Sequence, residues 1–191
     1  MSERIVNVHA QEYKGKKFRS TLEAETAKAL DAMGIPYEYE TRRIELLEGF
    51  RSPFQKDKVR SITYTPDFII GPIMLECKGF ETPEWKIKKK LVFKWLQENE
   101  PGTIFYQIHD ARKQLLEMLD NHLPYLDLAV QVTSKPTKKQ PEKTTQYSTF
   151  KEAMSELGIP FKPIGAILRS LTGKSDYVYG YKWKIINLIK Q

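Results

Sequence analysis

Thr63-Tyr64-Thr65-Pro66-Asp67-Phe68-Ile69-Ile70-Gly71-Pro72-Ile73-Met74-Leu75-Glu76-Cys77-Lys78 is the stretch on which the fold turns. Two apolar runs flank Gly71-Pro72, a pair that favours a turn, so residues 61–77 predict a β-hairpin entering a core. Glu76 and Lys78 are two apart, and side chains alternate between the faces of a sheet, so both point one way and Cys77 the other. With Asp67 on the neighbouring strand, three ionisable groups share one face. Two carboxylates held close together are costly to bury without a cation, and a hard divalent ion with oxygen ligands is the usual compensation. The backbone carbonyl of Cys77 offers a further ligand. The competing reading is an ordinary exposed Glu–Lys pair on an edge strand.

Phosphodiester hydrolysis needs such a set. Carboxylates hold Mg²⁺, with Mn²⁺ as an alternative, at the scissile phosphate, the ion acidifies the attacking water, and a lysine orients it or offsets developing charge. The single cysteine and the absence of any Cys or His cluster with zinc spacing leave oxygen as the donor for a catalytic metal.

Upstream, Ser20 to Met33 has helical periodicity with Leu22, Ala29, Leu30 and Met33 on one face, ended by Gly34 and Pro36. Glu23 and Glu25 flank that face about equally, so periodicity does not choose between them. Residues 1–17, with Lys14, Lys16 and Lys17, are expected to form a basic, weakly ordered arm. Tyr37 to Leu47 predicts a strand, and Glu48 to Lys58 a polar excursion before the hairpin. Downstream, Thr82-Pro83 is a helix start, with Ile87, Leu91, Val92, Trp95 and Leu96 as the buried stripe and Lys86, Lys88, Lys89, Lys90 and Lys94 largely off it. Thr103 to Ile108 predicts a buried strand, and Asp110 caps a helix with Leu115, Met118 and Leu119 inside. Such an order gives an α/β fold, a mixed β-sheet flanked by helices.

Composition shifts at Thr133 to Gln146, where Lys, Pro, Thr and Gln dominate without a hydrophobic period, as a linker would. The expected domains are then the arm 1–17, a catalytic domain 18–132, a linker 133–147 and a C-terminal module 148–191. In the module, Thr149 and Glu152 have capping-box spacing, Phe150 to Leu157 and Ile164 to Leu171 predict a helix-turn-helix-like pair, and Tyr177 to Ile186 a strand or hairpin.

The chain has 191 residues, 31 Lys and Arg against 24 Asp and Glu, and a net charge of +7, which suits a polyanionic partner. No apolar run is long enough for a membrane span, and Met-Ser-Glu-Arg does not open a signal peptide, so a soluble intracellular protein is expected. His9, His109 and His122 lack any metal or carboxylate context and receive no role.

Four blocks in order, Phe18-Arg19-Ser20-Thr21-Leu22-Glu23, Gly34-Ile35-Pro36-Tyr37-Glu38-Tyr39-Glu40, Thr63-Tyr64-Thr65-Pro66-Asp67-Phe68 and Glu76-Cys77-Lys78-Gly79, resemble phage endonuclease I. That is a Holliday-junction resolvase type of the PD-(D/E)XK nuclease superfamily. The resemblance implies a restriction-endonuclease-like fold and a Mg²⁺-dependent DNA nuclease acting as a homodimer, with elements exchanged between subunits as a further expectation. It matches the acids to Glu23, Asp67 and Glu76 and the lysine to Lys78, and so selects Glu23 over Glu25. The metal set expected is Asp67, Glu76, Cys77 through its carbonyl, and Glu23.

DNA contacts are expected from Lys16, Lys17, Arg19, Lys86, Lys89, Lys90, Arg169, Lys174, Lys182 and Lys184, with Lys162 also available. Residues 148–186 resemble the small modules of phage and intron homing endonucleases, through Phe150-Lys151-Glu152-Ala153, Leu157-Gly158-Ile159 and Gly180-Tyr181-Lys182-Trp183-Lys184. A tail that selects the site favours homing-type cleavage of duplex DNA. Resolution of branched junctions is the second expectation, and a DNA-binding protein without activity the third. If phage-encoded, the protein would work in the cytoplasm of an infected bacterium.

Overall fold

The computed structural model describes residues 9–111, 113–159 and 164–188. The chain divides into two compact units, residues 37–107, and residues 1–36 together with 108–191. In chain order, β1 (Gln11–Tyr13), β2 (Lys16–Phe18) and α1 (Thr21–Met33) come first. Next are β3 (Glu38–Tyr39), β4 (Ile44–Leu47), β5 (Ile62–Tyr64), β6 (Phe68–Ile70), β7 (Ile73–Cys77), α2 (Pro83–Asn99) and β8 (Ile104–Ile108). The remainder is α3 (Gln114–Asp120), β9 (Leu128–Ser134), β10 (Thr144–Tyr147), α4 (Phe150–Glu156), α5 (Leu168–Leu171) and β11 (Tyr181–Asn187). The fold is mixed α/β with helices flanking a mixed sheet, as expected. No described helix is long and apolar enough to cross a membrane.

In unit 37–107 the sheet order is β3-β6-β7-β8, with α2 as the crossover between β7 and β8. The expected continuous strand over 61–70 is broken, because Pro66 lacks the N–H a ladder requires. Before it, β5 pairs with β4 in a separate ribbon; after it, β6 joins β3 and β7. Asp67 stands at this change of sheet. Gly49 allows the ribbon to close, since a Cβ there would lie 2.9 Å from the carbonyl oxygen of Val59. Thr82 caps α2, its Oγ1 accepting the Trp85 N–H at 3.2 Å, with Pro83 opening the helix as the sequence predicts.

The buried stripe of α2 differs from expectation. Trp85, Val92 and Leu96 pack with Ile44, Tyr64 and Met74, whereas Ile87 is 65% exposed and Leu91 only half-buried. Residue 89 continues the stripe set by Trp85, Val92 and Leu96, so this lysine is half-buried against Glu81 and Gln107. Hydrophobicity alone puts Ile87 and Leu91 in the stripe instead, because it does not register a lysine satisfied by an ion pair.

In the other unit, residues expected to be a loose arm instead form the β1–β2 hairpin, turned through Lys14 and Gly15, both in the left-handed region. Residues 1–8 of that arm lie outside the described residues, as does Lys162. The segment expected as a linker also differs. Ser134 ends β9, Thr144 begins β10, and the two strands pair antiparallel, so the Lys- and Pro-rich run is largely a hairpin tip. Along its whole length β9 also pairs with β11, giving the order β10-β9-β11. A domain boundary at residue 132 would cut β9. The helix pair expected in the tail is present as α4 and a 3-10 turn running into α5, but its apolar side chains join this sheet's core. Phe150 and Trp183 are fully buried with ring centroids 6.0 Å apart.

Asp120, 1% exposed at the end of α3, accepts the N–H of Phe150, a helix-start donor with no partner inside α4. Its Oδ2 has no hydrogen-bond partner among the described residues, and Lys151 Nζ lies 3.8 Å away. Burial holds the Asp120 carboxyl above the usual carboxylate range, opposed by the Phe150 N–H and Lys151. The folded chain thus holds this proton more tightly than the unfolded chain. The associated stability is complete below the unfolded pKa of about 3.9 and is lost as pH rises through the folded value. Asp120→Asn keeps an acceptor oxygen without the charge, so in thermal melts its melting temperature should gain on the wild type as pH is raised above the unfolded value of about 3.9. Asp120→Ala removes the acceptor and should cost about 1–3 kcal/mol at every pH.

Candidate active site

The β6–β7 register pairs Phe68 with Leu75 and Ile69 with Met74, and Asp67 and Glu76 are the residues that directly adjoin the Phe68–Leu75 pair. The backbone N–H of Cys77 donates to Asp67 Oδ2 at 2.7 Å, which fixes the aspartate by the main chain of β7. Glu76, 4% exposed, accepts the Tyr64 hydroxyl on Oε2 at 2.9 Å and Lys78 Nζ on Oε1 at 3.3 Å. The Asp67 carboxylate and the Glu76–Lys78 pair thus both lie at the end of β7, and Cys77 between that pair is buried. The exposed-pair alternative does not hold for Glu76.

Sequence reasoning missed the residues that support this face. Tyr64 is buried on β5, and its phenol is held far above the ordinary range, first by burial and then by the charge of Glu76, so it remains a hydrogen-bond donor. Trp85 lies beneath Lys78, whose Nζ is 4.8 Å from the ring centroid. The indole N–H donates to Gln107 Oε1 at 2.9 Å, and Gln107 Nε2 donates to Glu81 at 2.7 Å. Glu81 is paired with Lys89, which with Gln107 holds its carboxyl below the usual range. A signal for Tyr64 existed, as a polar-tipped aromatic two residues before Pro66. Gln107 had none, being distant in sequence.

Glu23 belongs to the other unit. It is 5% exposed, while Glu25 is half-exposed, so burial separates two residues that periodicity leaves equivalent. Its surroundings are those of a capping box. Ser20 Oγ accepts the Glu23 N–H at 3.2 Å, and the carboxylate accepts Ser20 Oγ–H at 2.7 Å and the Arg19 N–H at 2.9 Å. Thr149 and Glu152 repeat the arrangement, with Glu152 N–H to Thr149 Oγ1 at 3.1 Å and Ser148 N–H to Glu152 at 2.8 Å.

Lys16, Lys17 and Arg19 are exposed, as are Lys86, Lys90, Arg169, Lys174, Lys182 and Lys184. Lys89 differs, being engaged within its own unit as described. Arg169 and Lys174 border a groove floored by Ala29, Ala32 and Ala111.

Among the described residues no group of three or more His, Cys, Asp or Glu side chains is arranged to hold a metal. The donor set on β6 and β7 nonetheless fits a hard ion. Asp67 and Glu76 are carboxylate donors of the kind such an ion takes, and Mg²⁺ characteristically binds through one or two carboxylates while keeping waters and substrate oxygens.

The sequence pattern of phage endonuclease I matches residues 5–104. The chain belongs to the phage endonuclease I family. As a member it is a phage DNA endonuclease, and its substrate is DNA. The family match takes in Asp67, Glu76 and Lys78 as well as Glu23, and ends before α3, leaving the β10-β9-β11 sheet outside it. No curated protein and no solved structure matches the chain.

Proposed function

We propose that this endonuclease is a divalent-metal-dependent phosphodiester hydrolase of PD-(D/E)XK type, with Asp67, Glu76 and Lys78 as its catalytic residues. The observation that carries the reading is that Asp67 is held by the main chain of β7 at Cys77, between Glu76 and its ion-pair partner Lys78, inside the region of the family match. Asp67, Glu76 and the Cys77 carbonyl would hold Mg²⁺ or Mn²⁺. When bound, such an ion supplies charge neutralisation at the phosphate and a more acidic water.

The chain's own groups do the positioning. The Cys77 N–H orients Asp67, and the Tyr64 hydroxyl orients Glu76 without becoming a competing anion. Lys78 is a third exposed, so its ammonium can reach a phosphate oxygen or a water while Trp85 supports its stem. A fixed cation where negative charge develops contributes more to the transition state than to the ground state.

The preferred substrate is a specific duplex site, because the chain carries a further basic segment beyond the family match. Branched junctions are the second reading, supported by the family itself. Cutting both strands would need two centres, for which a symmetric dimer is the economical arrangement. The test incubates the full chain and Mg²⁺ with a four-way junction and with a linear duplex library. Cleavage at one duplex site supports the first reading; cleavage confined to the junction replaces it with the second. Absence of cleavage under every divalent metal, with binding intact, refutes the catalytic assignment.

Glu23 needs its own test, since capping and catalysis predict the same burial. Glutamine serves a capping box as glutamate does. Glu23→Gln should keep the melting temperature and lose cleavage if the carboxylate is catalytic. Retained cleavage would leave Glu23 as a cap alone.

A further inference from the structure

The basic surplus of the chain is unevenly placed. Unit 37–107 has 12 Lys and Arg against 11 Asp and Glu, whereas the rest of the chain has 19 against 13. The unit that holds the candidate catalytic face is nearly neutral, so the electrostatic attraction for DNA resides mainly in the other.

Within that other unit the β10-β9-β11 sheet has two unlike faces. Val130, Val132, Trp183, Ile185 and Tyr147 are buried on one. The opposite face carries two polar rungs set by the register, Gln146–Gln131–Lys184 and Thr144–Thr133–Lys182, followed by a buried apolar pair, Ala129–Ile186. Both lysines, Thr144 and Gln146 are exposed. The Oγ1 atoms of Thr133 and Thr144 are 3.0 Å apart, so the central rung is ordered across strands. These six residues include no acid. Beyond them the hairpin tip adds Lys135, Lys138, Lys139 and Lys143 against Glu142 alone.

A solvated sheet face is normally polar but mixes charge signs. The two rungs combine lysines on an outer strand with glutamines able to pair with base edges, and Asp31, the acid that borders the same pocket as Lys184, is paired with Lys14. Long side chains standing off a sheet face can reach base edges in the major groove while the strands remain outside it.

We propose that duplex DNA docks on this sheet face, with Lys182 and Lys184 on phosphates and Gln131 and Gln146 on base edges. The reading element of the C-terminal region is then a β-sheet rather than a helix pair. Strands are an established means of entering a groove. The inference rests on DNA being the substrate and deepens the duplex-site reading by assigning the surface that chooses the site.

The test measures binding of the full chain to duplex DNA in EDTA, where cleavage cannot contribute, across a salt titration. Lys182→Gln with Lys184→Gln removes both charges while keeping polar side chains and should flatten the slope of log affinity against log salt by about 1.8, from ~0.9 per phosphate contact. The paired Lys→Arg variant should restore it. Gln131→Ala with Gln146→Ala should abolish enrichment of the site that the wild type selects from a random duplex library. An unchanged slope in the glutamine-for-lysine variant, an unchanged selected site, or tighter binding to RNA than to duplex DNA would overturn the proposal. Cleavage assayed separately with Mg²⁺ distinguishes the two failures. A protein that binds through this face but never cuts refutes the catalytic reading alone, and one that cuts while these variants bind as wild type refutes this proposal alone.

Discussion

Asp67→Asn should lower the single-turnover cleavage rate by a factor of about 10²–10³, the usual cost of losing one preorganised electrostatic group. Asparagine keeps the side-chain volume and an oxygen to accept the Cys77 N–H, which lies 2.7 Å from the native carboxylate. The variant should therefore melt like the wild type and bind DNA in EDTA with wild-type affinity. What it removes is one of two negative charges, and with it the ability to hold a divalent cation. Lys78→Ala should give a loss of the same order by another route. It leaves Glu76 held by Tyr64 but takes away the cation 3.3 Å from its carboxylate. The check is quenched-flow or gel-based cleavage under saturating enzyme. Wild-type rates in either variant would show that the chemistry lies elsewhere.

The second large effect is on stability. Trp85→Ala should destabilise the protein by about 3–5 kcal/mol, the range for removing a large buried aromatic. Trp85 is 5% exposed, packs 5.7 Å from the Tyr64 ring between centroids, and donates its indole N–H to Gln107. The cavity would open directly beneath Glu76 and Lys78, so cleavage should fall as well. Trp85→Phe separates the two consequences. It refills most of the volume and retains a ring under Lys78, but leaves Gln107 without the indole donor. A smaller loss in urea denaturation, about 1–3 kcal/mol, is expected for that variant. Equal stability of Trp85→Ala and wild type would mean that this ring does not organise the core.

The Glu23 region illustrates how two kinds of argument compete. Ser20-x-x-Glu23 has the same capping-box spacing as Thr149-x-x-Glu152. In the fold both are caps, with closely similar hydrogen bonds. Burial of Glu23 and exposure of Glu152 is the difference between them. A local motif specifies local geometry; what else the carboxylate does is a property of what packs around it.

The sequence by itself determined those features that depend on neighbours along the chain. Thr82-Pro83 sets the start of α2 through a cap and a pre-formed φ, and Gly34 ends α1 in the left-handed region. The two-residue period puts Glu76 and Lys78 on one face, and the Gly71-Pro72 turn brings Asp67 alongside. Four separated blocks were enough to indicate the family. The tertiary structure alone decided what depends on distant pairings. Thr144 to Tyr147 is polar enough to resemble a linker, and becomes a strand because β9 offers it a ladder and a buried side for Tyr147. β9 is in turn completed by β11, some fifty positions further on, and only that pairing aligns two lysines, two glutamines and two threonines on one face. Lys89 is half-buried because Glu81 and Gln107 satisfy it, and Tyr64 meets Glu76 because the chain changes sheets at Pro66. Hydrophobic periodicity records which side chains avoid water, but not which polar groups are brought together to do without it.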